Sequence, residues 1–410
     1  MHKLILAVLI YYPAVPSRAE APAALTLAAV LETARRDAPS VRAAMMHREA
    51  ERVLVISEAT PNKPMLEFER ERAPTGASPL NGPEKSWSVS QQLPFPTTLF
   101  YRGKAAAREA DAAAAMSRRA VIEATARARE AYAGLYEAER SLALLDEIVE
   151  LLRRFARVSE SKYAAGKGTQ ADAMKSQLEL TRMLNEKSLA EAAVESARGS
   201  LNAAMGREMD SPLPSLAPPS SAMPASSFAE LRSIALSENP ALAFAEHESE
   251  KARAELGMKR SEWLPDISLR YRRRVENGLR SHDASLGLSL PLWFWKQAAT
   301  ASHAGYEARY AEALRDGEKL EVLSGLRAAH AFARAEAKLR EAYRTTVIPQ
   351  AESALSSAES SYQADRAGFL DLLDAARSLV TARLESVRHE ADFERALAAL
   401  SRAVGRETVP

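Results

Sequence analysis

The stretch Tyr163-Ala-Ala-Gly-Lys-Gly-Thr-Gln-Ala-Asp172 has a counterpart 199 residues further along the chain (362 − 163). The counterpart is Tyr362-Gln-Ala-Asp-Arg-Ala-Gly-Phe-Leu-Asp371, in which both tyrosines and both aspartates align. Each copy lies between two long, alanine-rich runs, and alanine favours helix more than any other residue. We interpret each copy as the tight turn at the end of a long helical hairpin.

Other landmarks repeat at nearly the same distance, which indicates a tandem duplication. Gly206-Arg-Glu208 recurs as Gly405-Arg-Glu407, and Pro39 recurs as Pro240. The sequence therefore predicts a first repeat over 20–208 and a second over 228–410. The segment 209–227 between them is rich in proline and serine, as a solvated linker should be.

The first residues have the pattern of an export signal, predicted over 1–19. His2 and Lys3 supply positive charge, Leu4 to Tyr12 form a short apolar region, and Ser17-Arg-Ala19 places small residues before a cleavage point. The alternative is a frayed hydrophobic start. No later apolar run reaches the ~18 residues that a membrane helix needs, so an exported protein of this sequence would cross a membrane only with strands.

Composition excludes several classes of function. The 55 basic residues nearly balance the 54 acidic ones, so nucleic acid is not expected as a partner, and the absence of cysteine removes thiol chemistry. The seven histidines form no helical metal motif, although Met45-Met-His47 is an alternative soft-metal site. Phosphate loops and Gly-x-Ser-x-Gly elbows are missing. We expect no catalytic residues, cofactor or resident metal, and no enzyme.

Each repeat contains one predicted β-hairpin, over 65–92 and over 266–290. Apolar and polar residues alternate in Leu66-Glu-Phe-Glu-Arg-Glu71 and in Ile267-Ser-Leu-Arg-Tyr-Arg272. We predict turns at 73–85 and 276–283. Two surface hairpins on a soluble protein would show this pattern, and so would the wall of a transmembrane barrel.

Four strands cannot enclose an aqueous lumen, so a barrel would need several chains. Its polar face would place acidic residues beside basic ones on neighbouring strands: Glu67, Glu69, Glu71, Arg270, Arg272 and Arg274. Trp293 and Trp295 follow the last strand and would form an interfacial aromatic belt, or alternatively a buried aromatic core.

The helical runs are unusually long. Gly103 to Gly166 contains no proline and only Gly134 as an internal glycine, which predicts a rod of roughly 90 Å. Return helices are predicted over about 169–205 and 370–404, and the second outgoing rod is predicted to begin near Ala298 and to meet Pro349. Helices of this length are typical of coiled coils and helical tubes.

With these features in place, the chain resembles the TolC-like outer-membrane efflux channel family over essentially its whole mature length. The most specific match is the turn pattern Tyr-x-x-Gly-x-x-(Thr/Ser)-x-x-Asp, carried by Tyr163, Gly166, Thr169 and Asp172. The resemblance implies a mostly helical α+β chain that assembles as a homotrimer. It also implies a 12-stranded outer-membrane barrel, four strands from each chain, that continues into a periplasmic α-helical barrel.

The resemblance also implies roles for the two turns. The second turn would line the periplasmic aperture with Tyr362, Arg366, Asp371 and Asp374, although Arg366 is one position early and Asp365 replaces the usual glycine. Stacked carboxylate rings at the aperture would favour cations. The tip would dock a periplasmic membrane-fusion adaptor through Tyr163, Gly166, Lys167, Gly168, Thr169, Asp172 and Gly368. Arg366 or Lys167 could hold neighbouring hairpins together through Asp172; solvated turn charges are the alternative.

The predicted function is a passive exit duct, gated at its periplasmic tip, in the outer membrane of a Gram-negative cell and surrounded by outer-membrane lipid. Its implied partners are the adaptor and an inner-membrane pump of the resistance-nodulation-division type. The compact first turn and the short chain favour the heavy-metal cation branch, the CzcC/CusC-like proteins, with other small toxic compounds as possible cargo. The alternatives are a type I secretion duct and a periplasmic coiled-coil adaptor or scaffold, which would lack lipid-facing strands.

Overall fold

A computed structural model describes residues 24–72, 75–76, 78, 80, 82–276, 278–364 and 366–407. The predicted export signal over 1–19 and the residue Asp365 lie outside the described residues.

The order of elements in the first half repeats in the second. The first half contains α1 (Leu27–Asp37), α2 (Pro39–Glu58), β1 (Met65–Glu71), β2 (Glu84–Leu93), α3 (Pro96–Ala164) and α4 (Gln170–Ala204). The second contains α5 (Phe228–Glu238), α6 (Pro240–Ser261), β3 (Asp266–Glu276), β4 (Leu279–Ser289), α7 (Phe294–Ala342), a π-helical segment (Tyr343–Val347), α8 (Ile348–Gln363) and α9 (Phe369–Val404).

The longest rod is α3, whose 69 residues span about 100 Å. It packs against α2, α4, α6 and α9, so it contacts helices of both halves. Ala112, Ala113 and Ala115 are buried on it. Small side chains at these positions let neighbouring helices approach closely, which explains the alanine richness of the sequence.

The second rod differs in detail from its prediction. It begins at Phe294, four residues before the expected Ala298, and it changes to π-helical geometry at Tyr343–Val347. Pro349 lies two residues beyond this segment and has no amide hydrogen to donate to the preceding turn. The π segment is the local rearrangement by which the rod continues past the proline instead of ending there.

The repeated glycine and proline landmarks contact each other in the folded chain. Gly206 has a φ of +73° and lies against Asp37 and Pro39, where an added Cβ would come within 2.7 Å of the Asp37 carbonyl oxygen. Gly405 has a φ of +86° and lies in the same way against Asn239 and Pro240. Only glycine fits both the left-handed conformation and the close approach. The repeat therefore marks the two places where a return helix ends against a helix break.

The four strands form one antiparallel sheet in the order β1-β2-β3-β4. The second hairpin turn is much shorter than predicted, because β3 extends to Glu276 and β4 begins at Leu279. The prediction of a turn over 276–283 was wrong because polar residues such as Arg280 and Asp283 resemble loop composition, although they belong to paired strands.

Of the hydrophobic clusters that hold the rods together, the two largest lie at different heights. One contains Tyr132, Leu135, Leu201 and Met205 and joins α3, α4 and α1. The other lies towards the helical turns and contains Leu152, Phe155, Tyr362, Phe369 and Leu373 among others. In the part of the chain that the structure describes, no helix is both long enough and apolar enough to cross a membrane.

Candidate functional site: the two faces of the sheet and the helical tips

The polar face of the sheet contains the six predicted lumen residues. Glu67 lies opposite Ser88, which lies opposite Arg272, and Glu69, Ser86 and Arg274 form the next row of the same face. The side chains that face each other across strands share one side of a pleated sheet. Strand pairing therefore places these residues on one common surface.

The prediction that the acidic and the basic side chains lie on adjacent strands was wrong. The strands β1 and β3 both pair with β2, so serines lie between the acidic and the basic side chains. Ser86 donates a hydrogen bond to Glu69 at 3.2 Å, and the Arg272 guanidinium reaches the same carboxylate at 3.9 Å. The polar face therefore consists of carboxylates, serine hydroxyls and guanidinium groups, and the opposite charges do not face each other directly.

The loop end of the sheet contains an ion-pair cluster that was not predicted from the sequence. Glu71 lies opposite Glu84, and Glu84 is almost completely buried. The Arg72 guanidinium binds Glu84 at 2.5 Å and Glu276 at 3.1 Å, from a backbone φ of 60°. The acidic residues that meet at the loop end of the sheet can be identified only from the strand register, which the sequence alone does not determine.

The opposite face of the sheet is apolar and exposed in the single chain. Leu66 is 73% exposed and Leu286 is 68% exposed, although both are large aliphatic side chains. The same face contains Phe68, Trp87, Val89, Ile267, Leu269, Tyr271 and Leu288. An exposed apolar surface of this extent indicates contact with lipid or with another protein.

The aromatic residues after β4 are also exposed. Trp293 is 63% exposed and Trp295 is 59% exposed, and their rings contact each other with centroids 5.5 Å apart. Within the chain they do not form the buried aromatic core that was the alternative. Their position after the apolar strands is where tryptophans of an interfacial belt lie.

The first helical tip is a tight turn stabilised by its own backbone and by a cap. The Gly166 amide donates to the Tyr163 carbonyl, and the Lys167 amide donates to the Lys162 carbonyl. Gly166 has a φ of +67°. Gly168 lies close to Lys162 and Tyr163, where a Cβ would meet atoms at 3.2 and 3.3 Å.

The next helix begins with a capping box. The Thr169 hydroxyl accepts a hydrogen bond from the Asp172 amide at 3.2 Å, and the Asp172 carboxylate accepts one from the Thr169 amide at 3.4 Å. This reciprocal pair satisfies amides at the start of α4, so the Thr-x-x-Asp pattern of the sequence has a structural role.

The second tip uses a similar arrangement with different residues. The Arg366 amide donates to the Ser361 carbonyl at 2.8 Å, and the Gly368 amide donates to the Asp371 carboxylate at 3.0 Å. Asp371 is exposed in the first turn of α9, and Asp374 is exposed three residues further along the helix. The Arg366 side chain is exposed beside the turn. The structure therefore presents two carboxylates and one guanidinium to solvent at this end of the rods.

Tyr362 is buried, in contrast to those exposed charged side chains. Only 8% of it is exposed, and its ring packs edge-on against Phe369 with centroids 6.0 Å apart. The Lys162 ammonium donates to the Tyr362 carbonyl at 2.8 Å and lies 4.1 Å from the ring centroid. Tyr362 thus anchors the second tip to the first within one chain.

The predicted pairing partners of the tips do not meet within this chain. Asp172 is engaged by Thr169, while Lys167 is exposed. The hairpins are joined instead by Lys162, which sequence reasoning missed, and by an ion pair further along the rods between Arg377 and Glu179 at 2.5 Å. A latch through Lys167 or Arg366 to Asp172 of a neighbouring chain stays a prediction.

We expect the Glu179–Arg377 pair to make the tip region acid-sensitive. The Arg377 guanidinium lowers the pKa of Glu179 from its ordinary value of 4.5. A lowered folded-state pKa contributes stability that is complete above the unfolded-state value and is lost as the pH falls through the folded value. Because Arg377 is half exposed, the pair contributes about 1 kcal/mol or less.

The measurement compares the thermal unfolding midpoint of the native protein with that of Glu179→Gln, from neutral pH down to about pH 3. The midpoints should differ most at neutral pH and converge in acid. Glu150→Gln, which removes an exposed pair with Arg153, serves as the control. A difference between native and variant that does not change with pH would contradict the assignment.

One group of potential metal ligands forms only in the folded chain. The His389 imidazole lies 2.8 Å from the Glu336 carboxylate, and Asp392 lies beside them. However, Asp392 is already paired with Arg395 at 2.7 Å and lies 3.5 Å from Arg388. These guanidinium groups oppose cation binding, so we interpret the group as a polar link between α7 and α9.

A family model described as "Outer membrane efflux protein" matches residues 30–207 and 231–406. The chain belongs to the outer membrane efflux protein family. The two matched segments correspond to the two halves described above, one on each side of the proline-rich linker.

Individual members of the outer membrane efflux protein family resemble the chain in sequence and in fold. The cobalt-zinc-cadmium resistance protein CzcC of Cupriavidus metallidurans is 24% identical over 281 residues, which cover 68% of this chain and 66% of CzcC, just under two thirds of its length. The CusC structure has a TM-score of 0.81 at 17% identity and covers 93% of this chain and 92% of CusC. The outer membrane protein VceC of Vibrio cholerae has a TM-score of 0.78 at 17% identity, covering 93% and 96%.

These comparisons confirm the predicted family and the mostly helical fold of the chain. Membership of the outer membrane efflux protein family assigns the chain to efflux channels and not to enzymes.

Proposed function

We propose that the protein is the outer-membrane exit duct of a tripartite efflux system and that it functions as a homotrimer. The observation that carries this proposal is the sheet, with one exposed apolar face and one polar face, joined directly to rods of about 100 Å. A four-stranded sheet leaves the outer edges of β1 and β4 unpaired. Three copies joined edge to edge give 12 strands, which close the sheet and place the apolar face towards lipid.

The helical rods would continue the duct on the periplasmic side. Their tips carry exposed polar groups, namely Tyr163, Lys167, Arg366 and Asp371, which are accessible to an adaptor protein. An inner-membrane pump of the resistance-nodulation-division type would supply the energy and select the substrate. The duct itself only has to provide a water-filled path for the substrate. The polar face of the sheet and the tip carboxylates are hydrophilic surfaces that would line this path.

Heavy-metal cations are the cargo that we propose first. The supporting observations are the similarity to a cobalt-zinc-cadmium resistance protein and the carboxylates of Asp371 and Asp374 at the tip. Threefold symmetry would arrange these carboxylates as two stacked rings, which attract cations at a constriction. Other small toxic compounds are tested in the same experiment.

The function is tested with a deletion strain that is challenged with zinc, cobalt, copper and a panel of dyes. We expect increased sensitivity to divalent metals that the native gene restores. Membrane fractionation of the same strain should recover a heat-modifiable trimer in the outer membrane. A soluble periplasmic monomer would contradict the proposal and would favour the adaptor or scaffold class.

We expect the double variant Asp371→Asn/Asp374→Asn to reduce cation selectivity in single-channel recordings, because it removes six negative charges from the trimer's aperture. Asparagine retains an acceptor for the Gly368 amide, so the start of α9 is preserved. Reversal potentials across a salt gradient measure the change. The double variant Glu208→Gln/Asp210→Asn is the matched control, since it also removes two carboxylates from each chain and both are exposed beyond the opposite end of α4. Equal selectivity in both variants would exclude the aperture assignment.

A further inference from the structure

Basic residues form a row across the outer, apolar face of the sheet near its loop end. The strand register places Arg70 opposite Lys85, Lys85 opposite Val275, and Val275 opposite Arg280. Three of the four side chains in this row are therefore cationic. The row directly below it contains Phe68, Trp87, Arg273 and His282, so a fourth cationic side chain, Arg273, lies next to aromatic side chains.

The acidic residues of the strands are all on the opposite face. The alternation of side chains assigns every strand carboxylate to the polar face: Glu67, Glu69, Glu71, Glu84, Asp266, Glu276 and Asp283. Within these four strands the outer face therefore has basic groups without an acidic partner, although acids are equally frequent in the chain as a whole. Such segregation gives the outer face a positive potential.

The basic row and the aromatic row form one surface. The Tyr271 hydroxyl and the His282 Nδ1 are 2.6 Å apart, and the Trp87 and Tyr271 rings pack edge to face at 6.1 Å. These rings lie beneath the cations and continue into the aliphatic residues of the apolar face. The surface is thus amphipathic, with positive charge above and apolar side chains below.

The height of the basic row matches one boundary of a membrane. Ile267 and Val275 mark the lowest and the highest rows of β3 on the outer face, and eight residues of strand span about 26 Å. With the 35–45° tilt of barrel strands this corresponds to about 20 Å along the membrane normal. Trp293 and Trp295 follow β4 at the helical end, so the basic row lies at the opposite boundary.

We propose that this surface, formed by Arg70, Lys85, Arg273 and Arg280, binds the phosphate groups of the phosphorylated glycolipid in the outer leaflet of the outer membrane. The proposal rests on the proposed function, which places the loop end of the sheet at that leaflet. Guanidinium and ammonium groups match phosphate in charge and hydrogen-bonding geometry. The apolar residues below them match the acyl chains, which a free phosphate ion or a nucleic acid does not offer.

The test uses the purified, detergent-solubilised trimer and lipid A, with the number of lipid molecules bound to each trimer measured by native mass spectrometry. The variant Arg70→Gln/Lys85→Gln/Arg280→Gln removes three outer-face charges. The control Arg270→Gln/Arg272→Gln/Arg274→Gln removes three charges from the polar face of the same sheet. Lipid A without phosphates, phosphatidylglycerol and inorganic phosphate are the comparison ligands.

We expect the outer-face variant to bind lipid A at least about tenfold more weakly, because each basic group contributes to attraction towards an anionic surface. The polar-face control should bind lipid A like the native trimer, and lipid A without phosphates should bind weakly to all three proteins. Inorganic phosphate should not compete at the same concentration, and phosphatidylglycerol should compete only weakly. Equal loss in both variants, or equal binding of the lipid without phosphates, would overturn the proposal.

Failure of this proposal is distinguishable from failure of the proposed function. Membrane fractionation and the native mass of the trimer report the location and the assembly independently of lipid A. A trimer recovered from the outer membrane that does not distinguish the two triple variants would refute only the glycolipid surface. A protein absent from the outer membrane would refute the exit duct itself.

Discussion

Replacing Glu394 with alanine should lower the stability of the folded protein by about 3–5 kcal/mol, because the change removes the carboxylate that compensates a buried guanidinium charge. Glu394 is 1% exposed and Arg129 is 3% exposed, and their side chains form an ion pair at 2.9 Å. The Ser221 hydroxyl donates to the same carboxylate at 3.0 Å. The group joins α3, α9 and the linker, and thus the two halves of the chain.

Two variants separate this effect from the loss of an ordinary surface pair. Glu341→Ala removes an exposed pair with Arg344 and should leave the unfolding midpoint almost unchanged. The double variant Arg129→Met/Glu394→Leu replaces both charges with apolar side chains and should be much closer to the native protein than Glu394→Ala. The thermal unfolding midpoint of the purified trimer, followed by circular dichroism, measures all three. Similar midpoints for Glu394→Ala and Glu341→Ala would contradict the prediction.

The second large effect concerns the outer face of the sheet. The substitution Leu269→Arg should remove the trimer from the outer membrane, because a lipid-facing arginine costs about 2–4 kcal/mol at the midplane and less towards the interfaces, and every trimer would contain three. Leu269 lies one row from the middle of the apolar face, on the side away from the basic row. Leu269 lies opposite Gln91 and Leu286 on the apolar face and is 45% exposed in the single chain. The measurement is the amount of heat-modifiable trimer in purified outer membranes.

The neighbouring residue provides a matched control on the same strand. Ser268 lies on the polar face opposite Gln92 and Gly287, so Ser268→Arg adds the same charge towards the predicted lumen. We expect Ser268→Arg to assemble and Leu269→Arg to fail. Assembly of both variants in normal amounts would show that the apolar face is not in contact with lipid, and it would remove the main support for the proposed duct.

The fold followed from sequence wherever a pattern was local and repeated. Alternation along the strands separated the two faces of the sheet, and the long stretches without proline indicated rods. The turn pattern around Thr169 and Asp172 corresponds to a capping box in the structure. These features depend on residues a few positions apart, so each signal is complete within a short segment.

Other features of the candidate site required the folded chain. The position of β2 between β1 and β3 changed the expected charge contacts of Glu69, and the length of β4 shortened the predicted turn. Lys162 meets Tyr362 across 200 positions of sequence. Composition gives no information about such pairs, because many partners of equal chemistry are available along the chain.

The sequence by itself determined the duplication, the amphipathic strands, the long rods and the family, since all of these are periodic or motif-based properties of the chain. Only the tertiary structure decided which charges are buried together, as in Arg129 and Glu394, and which face of the sheet collects the cations Arg70, Lys85 and Arg280. The physical reason is that burial and strand register are set by packing between distant segments, and they determine whether a charge is paired, exposed to water or directed towards lipid.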